Sequence, residues 1–197
     1  MAKILRAAFL LVLASVFAQR QANAENYNAV LAALQSSNWH GSFTSGPGGA
    51  PTCYGSIDVR FLSLRREPFA GGAQTVSYRH VAHFSALTPF MPFCETIGTS
   101  MSAVNVAGCE KTAPTARTVE NGHSVTVPVR TLIARDGGAN LVVSTPTCVQ
   151  ENGKAVIKRL EFSVRSIEFT DPQKRSLRMT LGLGAVVSNY QLQRVGK

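Results

Sequence analysis

Val76-Ser77-Tyr78-Arg79-His80-Val81-Ala82-His83-Phe84 puts Val76, Tyr78, His80, Ala82 and Phe84 on one parity and Ser77, Arg79 and His83 on the other. A period of two marks a strand with one face in a core and the other in water. Upstream, Ile57, Val59 and Phe61 alternate with Asp58 and Arg60 in the same way. Downstream, Asn121-Gly122 separates Thr118-Val119 from Val125, Val127 and Val129, a strong short-range hairpin signal. Pro128 falls on the polar parity of that strand and has no N–H, which predicts an edge or a bulge. Asp136-Gly137-Gly138 and Glu151-Asn152-Gly153-Lys154 turn the chain on either side of residues 141–149. In residues 156–169, Val156, Leu160, Phe162 and Val164 share one parity while Ile167 and Phe169 take the other. One extra residue near Arg165-Ser166 would return both groups to one core, so a β-bulge is expected there. After the turn Asp171-Pro172-Gln173-Lys174, Leu177, Met179, Leu181 and Leu183 alternate with Arg178, Thr180 and two glycines, and Tyr190 and Leu192 follow in a last strand. Short connections throughout predict an all-β antiparallel meander.

Only one stretch has a helical period. Tyr27, Val30, Leu31 and Leu34 stand at i, i+3, i+4 and i+7 behind Asn26 as N-cap, so a short amphipathic helix is expected to lie on the sheet as a lid or plug. Two segments are irregular: residues 45–51, rich in glycine and proline, and residues 87–92, with Thr88-Pro89-Phe90-Met91-Pro92. The second is an apolar loop that would cover a core or rim a binding mouth.

The first 24 residues have the layout of a cleavable secretory signal of bacterial type. Lys3 and Arg6 precede the apolar run of residues 7–18, and Ala22-Asn23-Ala24 forms a small-x-small cleavage site before Glu25. That run is too short to span a bilayer. The expected mature chain is one β-rich domain, residues 25–197, in the periplasm or outside the cell. Export makes oxidation the default fate of Cys53, Cys94, Cys109 and Cys148, and without a Cys-x-x-Cys pair they read as two structural disulfides rather than a metal site. Three pairings exist; the nested one, Cys94 to Cys109 and Cys53 to Cys148, is slightly favoured over the sequential one, Cys53 to Cys94 and Cys109 to Cys148. Without its signal the chain keeps 17 basic and 11 acidic residues, and residues 151–197 carry nine of the bases against four acids. Such a basic face can attract an acidic partner or simply keep the protein dissolved.

An N-terminal helix followed by about eight to nine antiparallel strands suggests a barrel, because closure removes exposed edges. Asn38-Trp39-His40-Gly41-Ser42-Phe43 opens the first strand with the only tryptophan of the chain, and Tyr190-Gln191-Leu192-Gln193-Arg194-Val195 closes the last. In outline and in these two stretches the chain resembles the lipocalin-like (calycin) barrels, which set a tryptophan on the first strand near an arginine from the closing end. Trp39 and Arg194 would be the matching pair. The chain departs from that pattern at Ser37, where the family has glycine. A β-sandwich is the alternative architecture.

Chemistry is sparsely signposted. His80 and His83, three apart on a strand, point to opposite faces and cannot share one ion; His80 reads as a core or cavity histidine. His40 and His123 have no sequence-adjacent carboxylate or cysteine partner. Gly98-Thr99-Ser100-Met101-Ser102 is not a nucleophile elbow. Glu95 and Glu110 flank the segment between Cys94 and Cys109 without any spacing that sets them as an acid–base pair. No cofactor fingerprint is present, and the basic stretch lacks the aromatic interleaving of a nucleic-acid surface. The leading expectation is a non-enzymatic protein holding a small apolar or amphipathic ligand in a barrel mouth, with Trp39, Tyr78, His80, Phe84 and Phe90 as lining residues. The alternative is a protein-interaction module, an inhibitor or envelope factor that meets an acidic envelope component through loops or the basic face. A hydrolase with a site assembled from distant residues comes third.

Overall fold

The computed structural model describes residues 26–48, 50–67, 71–86, 108–109 and 115–196. The expected signal, the loop with Phe90, and Cys94, Glu95, Gly98–Ser102 and Glu110 lie outside these residues.

Nine strands form one antiparallel sheet: β1 (Asn38–Pro47), β2 (Cys53–Glu67), β3 (Ala73–Phe84), β4 (Thr115–Val119), β5 (Gly122–Arg135), β6 (Asn140–Glu151), β7 (Lys154–Phe169), β8 (Ser176–Leu183) and β9 (Val186–Val195). The neighbour order is β3-β2-β1-β9-β8-β7-β6-β5-β4, and β3 also pairs with β5. That last pairing closes eight strands into a ring and leaves β4 outside it, so the meander runs β1-β2-β3-β5 rather than strictly through β4. Closure pairs the ring strands on both sides over most of their length and forces alternate side chains inward. Trp39 and Phe43 of β1, Ile57, Val59 and Phe61 of β2, Val76, Tyr78, Ala82 and Phe84 of β3, and Tyr190 and Leu192 of β9 are all buried in one apolar cluster. The seam between β1 and β9 is tight at Gly41, where a Cβ would stand 1.9 Å from the Gln191 carbonyl oxygen, so only glycine fits.

Prolines shape the opposite seam. β5 and β6 pair only from Thr131↔Ser144 to Arg135↔Asn140. Beyond that, Pro128 on β5 and Pro146 on β6 bring no N–H to a ladder, and the two strands part. The freed edge of β5 is taken by β4, from Thr115↔Thr126 to Val119↔Gly122. On β6, Cys148 is bonded to Cys109. This excludes the nested pairing, in which Cys109 would have met Cys94 and Cys148 would have met Cys53. Cys53 is disulfide-bonded as well, with its partner outside the described residues. The nested pattern fails because the split seam brings the segment before β4 against β6, a juxtaposition that sequence separation does not encode.

Two bulges set side-chain phase. Between β7 and β8 the register shifts from Val164↔Leu181 to Ser166↔Thr180, so Val164 and Ile167 both reach the core, as the parity change predicts. Between β3 and β5 the register steps from Tyr78↔Arg130 to His80↔Val127, which inserts one residue at Pro128-Val129. The bulge overturns the expected core position of Val129, which is 37% exposed, and turns Arg130 inward. Val156 and Leu160 also miss the core: β8 pairs with β7 only from Val164 onward, so the first half of β7 and its β6 partner project from the ring as a hairpin, with Leu160 and Ile157 exposed.

One helix, α1 (Tyr27–Leu34), buries Val30, Leu31 and Leu34, and the Asn26 side chain accepts from the Asn28 N–H at its N-cap. It contacts β2, β3, β5 and the 3-10 turn Asp136–Gly138, and so plugs one end of the ring. Ser37 fastens the plug. Its hydroxyl donates to the Leu34 carbonyl at the helix end and accepts from Trp39 Nε1 at 2.7 Å. The Trp39 ring lies 6.2 Å from Phe169 and 5.9 Å from the Arg194 guanidinium, while Lys174 stands 5.6 Å over Phe169. Cations over aromatic faces at this end contribute roughly 0.5–2 kcal/mol each.

Candidate functional site in the ring interior

Cross-strand register builds the interior from rows. Val59 faces Trp39 on one side and His80 on the other, and His80 faces Val127. In the neighbouring row Phe61 faces Tyr78, and Tyr78 faces Arg130. Tyr78, His80 and Arg130 are all buried, Arg130 completely. The Tyr78 ring lies 5.8 Å from His80 and 5.6 Å from Phe61. These three polar groups on β3 and β5 therefore share an interior made mostly of aromatic and aliphatic side chains, with a few buried serines and threonines.

Arg130 dominates the electrostatics. A guanidinium stays charged at any relevant pH, and moving it out of water costs several kcal/mol unless anionic or dipolar groups surround it. A phenol and an imidazole next to it can both hydrogen-bond an anion. The arrangement suits the binding of a carboxylate or other polar head in an apolar surrounding.

Toward the end opposite α1 the interior becomes aromatic. Phe43 packs edge-on against Phe84 at 5.4 Å and stacks with Tyr190 at 6.2 Å. The Ser45 and Ser188 hydroxyls are hydrogen-bonded at 2.6 Å in the same buried region. Of the expected lining residues, Tyr78 and His80 come together and Phe84 joins Phe43 toward the end opposite α1. Trp39 is buried in the same cluster, in the row of Val59 and His80, with its indole N–H held by Ser37. Phe90 lies outside the described residues. Arg130 was missed by sequence reasoning because strict alternation from Val125 leaves it on the polar side. The available signal was Pro128: one residue inserted there places Arg130, Leu132 and Ala134 on the face of Val127.

The remaining histidines are on the outer wall or at its rim. His80 and His83 do point to opposite faces. His40 Nδ1 donates to Asp58 Oδ1 at 2.8 Å and His83 Nε2 donates to Asp58 Oδ2 at 2.9 Å, so one carboxylate bridges two histidines across β1, β2 and β3. Burial alone would raise the Asp58 carboxyl, but these two bonds outweigh it and hold the group below the ordinary aspartate range. His40 thus has a partner that sequence adjacency does not reveal. His123 is half-buried at the start of β5, opposite Thr118. Among the described residues no group of three His, Cys, Asp or Glu side chains could hold a metal ion, and no helix is long and apolar enough to cross a membrane.

No protein-family model matches the chain, and no curated protein or solved structure is similar to it.

Proposed function

We propose that this chain is an exported, lipocalin-like binding protein. It holds a small amphipathic ligand in the ring interior, the apolar part among Phe43, Phe84 and Tyr190 and the polar or anionic head toward Arg130, Tyr78 and His80. The observation that carries this reading is a fully buried arginine set beside a tyrosine and a histidine on the inner wall of an aromatic-rich ring. The lipocalin-like part is supported by the helix plug and by the contact between Trp39 and Arg194. The Ser37 departure from that pattern has a local job in this chain, joining the helix end to the indole.

The test compares a fluorescent fatty acid with its methyl ester. The carboxylate is expected to bind at least tenfold more tightly than the ester, and Arg130→Met to erase that difference, since a hydrogen bond to a charged group contributes about 1.5–3 kcal/mol. If the fatty acid does not bind, or if Arg130→Met lowers stability and leaves the acid-to-ester ratio unchanged, the interior reading is wrong and Arg130 balances a charge of the chain itself.

A second reading, a protein-interaction module, is favoured by the projecting β6–β7 hairpin. It exposes Ile157 and Leu160 beside Lys154, Lys158 and Arg159. Binding of an acidic partner there should weaken as ionic strength rises past about 0.15 M, where charges are screened over about 8 Å. Capture that is unaffected by salt and by Lys154→Glu with Arg159→Glu removes the hairpin from consideration.

A further inference from the structure

On the outer wall, away from the interior site, the register lines up Val195 of β9, Asn38 of β1, Arg60 of β2 and Arg79 of β3 in a single cross-strand row. The next row is Gln193, His40, Asp58 and Val81. Apart from Gln193, these residues line a recess of about 640 Å3. Arg60 and Arg79 stand directly opposite each other on adjacent strands, where like charges repel and destabilise the pairing. Elsewhere the wall does the reverse: Glu168 lies opposite Arg178 and pairs with it, and Arg135 makes two hydrogen bonds to Glu161.

Asp58 is the carboxylate lining the recess, and it is held by His40 and His83 instead of by either arginine. Among the described residues neither Arg60 nor Arg79 makes an ion pair. The recess, mostly apolar in its surface, is lined by Arg60, Arg79 and Asn38 together with Val81 and the exposed aliphatic side chain of Val195. Two arginines on adjacent strands can both donate to the oxygens of one phosphate group.

We propose that this recess is a binding site for the phosphate group of a ligand whose apolar remainder lies on Val81 and Val195, with Arg60 and Arg79 as the anchors and Asn38 as an additional donor. His40 and His83 serve the site by keeping the Asp58 carboxylate turned away from the arginines.

The site can be read by titrating inorganic phosphate into the full chain and following the arginine Nε–Hε signals by NMR. Saturable shifts confined to two arginines are expected. Arg60→Gln or Arg79→Gln should each weaken binding about tenfold, equivalent to 1.4 kcal/mol, while Arg175→Gln leaves it unchanged and Asp58→Asn tightens it by removing a negative neighbour. All four positions are exposed, and far-UV circular dichroism checks that the variants keep the fold. Shifts that never saturate, or that Arg175→Gln reduces as much as Arg60→Gln, overturn the proposal. Vesicles distinguish the sources of the phosphate. Co-sedimentation with phosphatidylglycerol but not phosphatidylcholine vesicles, abolished in Arg79→Gln, assigns a lipid headgroup; phosphate binding without vesicle binding assigns a dissolved phosphorylated ligand.

Discussion

Ser37→Ala tests how the plug is fastened. The Ser37 hydroxyl is buried and serves two groups at once, donating to the Leu34 carbonyl and accepting from Trp39 Nε1 at 2.7 Å. Alanine leaves both without that partner in a site from which water is excluded, and each buried polar group so stranded costs about 1–3 kcal/mol. A loss of about 3 kcal/mol is expected, a large share of the roughly 5–15 kcal/mol that a domain possesses. For a chain of this size that lowers Tm by about 6–12 °C. Urea unfolding followed by far-UV circular dichroism gives the free energy without relying on the Trp39 signal. A cycle with Trp39→Phe isolates the bond: once the indole N–H is gone, Ser37→Ala should cost about 1–2 kcal/mol less than in the parent protein. Ser37→Ala within 0.5 kcal/mol of the parent, or full additivity in the cycle, would show that the hydroxyl does not hold helix and strand together.

The bulge in β5 predicts that Val129→Asp changes stability by less than about 0.5 kcal/mol, whereas Val127→Asp, two residues away but 2% exposed, unfolds the chain or costs more than about 4 kcal/mol in chemical denaturation. Replacing Cys109 and Cys148 by alanine opens a loop with a sequence separation of 39 residues and should cost about 4 kcal/mol on the chain-entropy account; thiol titration of the denatured, unreduced parent should find no free thiol, in line with the bonding of the described cysteines Cys53, Cys109 and Cys148. Asp58, held below the ordinary aspartate range, contributes stability that is fully present above that range and fades as pH falls through its lowered folded value. Carboxyl NMR should place its midpoint below 3.8, and His40→Ala with His83→Ala should move it upward; a midpoint unchanged by the double variant refutes the bridge.

The two proposed sites, interior and outer, would differ in what selects a ligand. Inside, a charged head must find Arg130 within a ring of apolar side chains, so desolvation makes the match stringent. Outside, Arg60 and Arg79 are hydrated and screened, so the recess would bind weakly and with strong salt dependence. A ligand bearing both an aliphatic tail and a phosphate could touch either one but could not occupy both, since the sheet separates them.

Much of the architecture is legible in the residues themselves. The alternation in β2 and β3, the Asn121 turn, the helix from Tyr27 to Leu34 and the phase change at Arg165 all depend on neighbours a few positions apart, and local sterics with a period of two or 3.6 determine them. The contact of Trp39 with Arg194 was legible through the resemblance to a known type of barrel rather than through any local rule. Other features depend on which strands meet across the ring. The pairing of Cys109 with Cys148, the inward turn of Arg130, the bridge from Asp58 to His40 and His83, and the opposition of Arg60 to Arg79 are all settled by interstrand register. For Cys109, Cys148 and Arg130 that register follows from closing β3 onto β5 and from two prolines that stop the β5–β6 ladder, and for Asp58, Arg60 and Arg79 from the β1–β2 and β2–β3 pairings. A one-residue insertion in a strand exchanges its inner and outer faces, so the chemistry of both candidate sites was decided by tertiary pairing even though every residue in them was visible from the start.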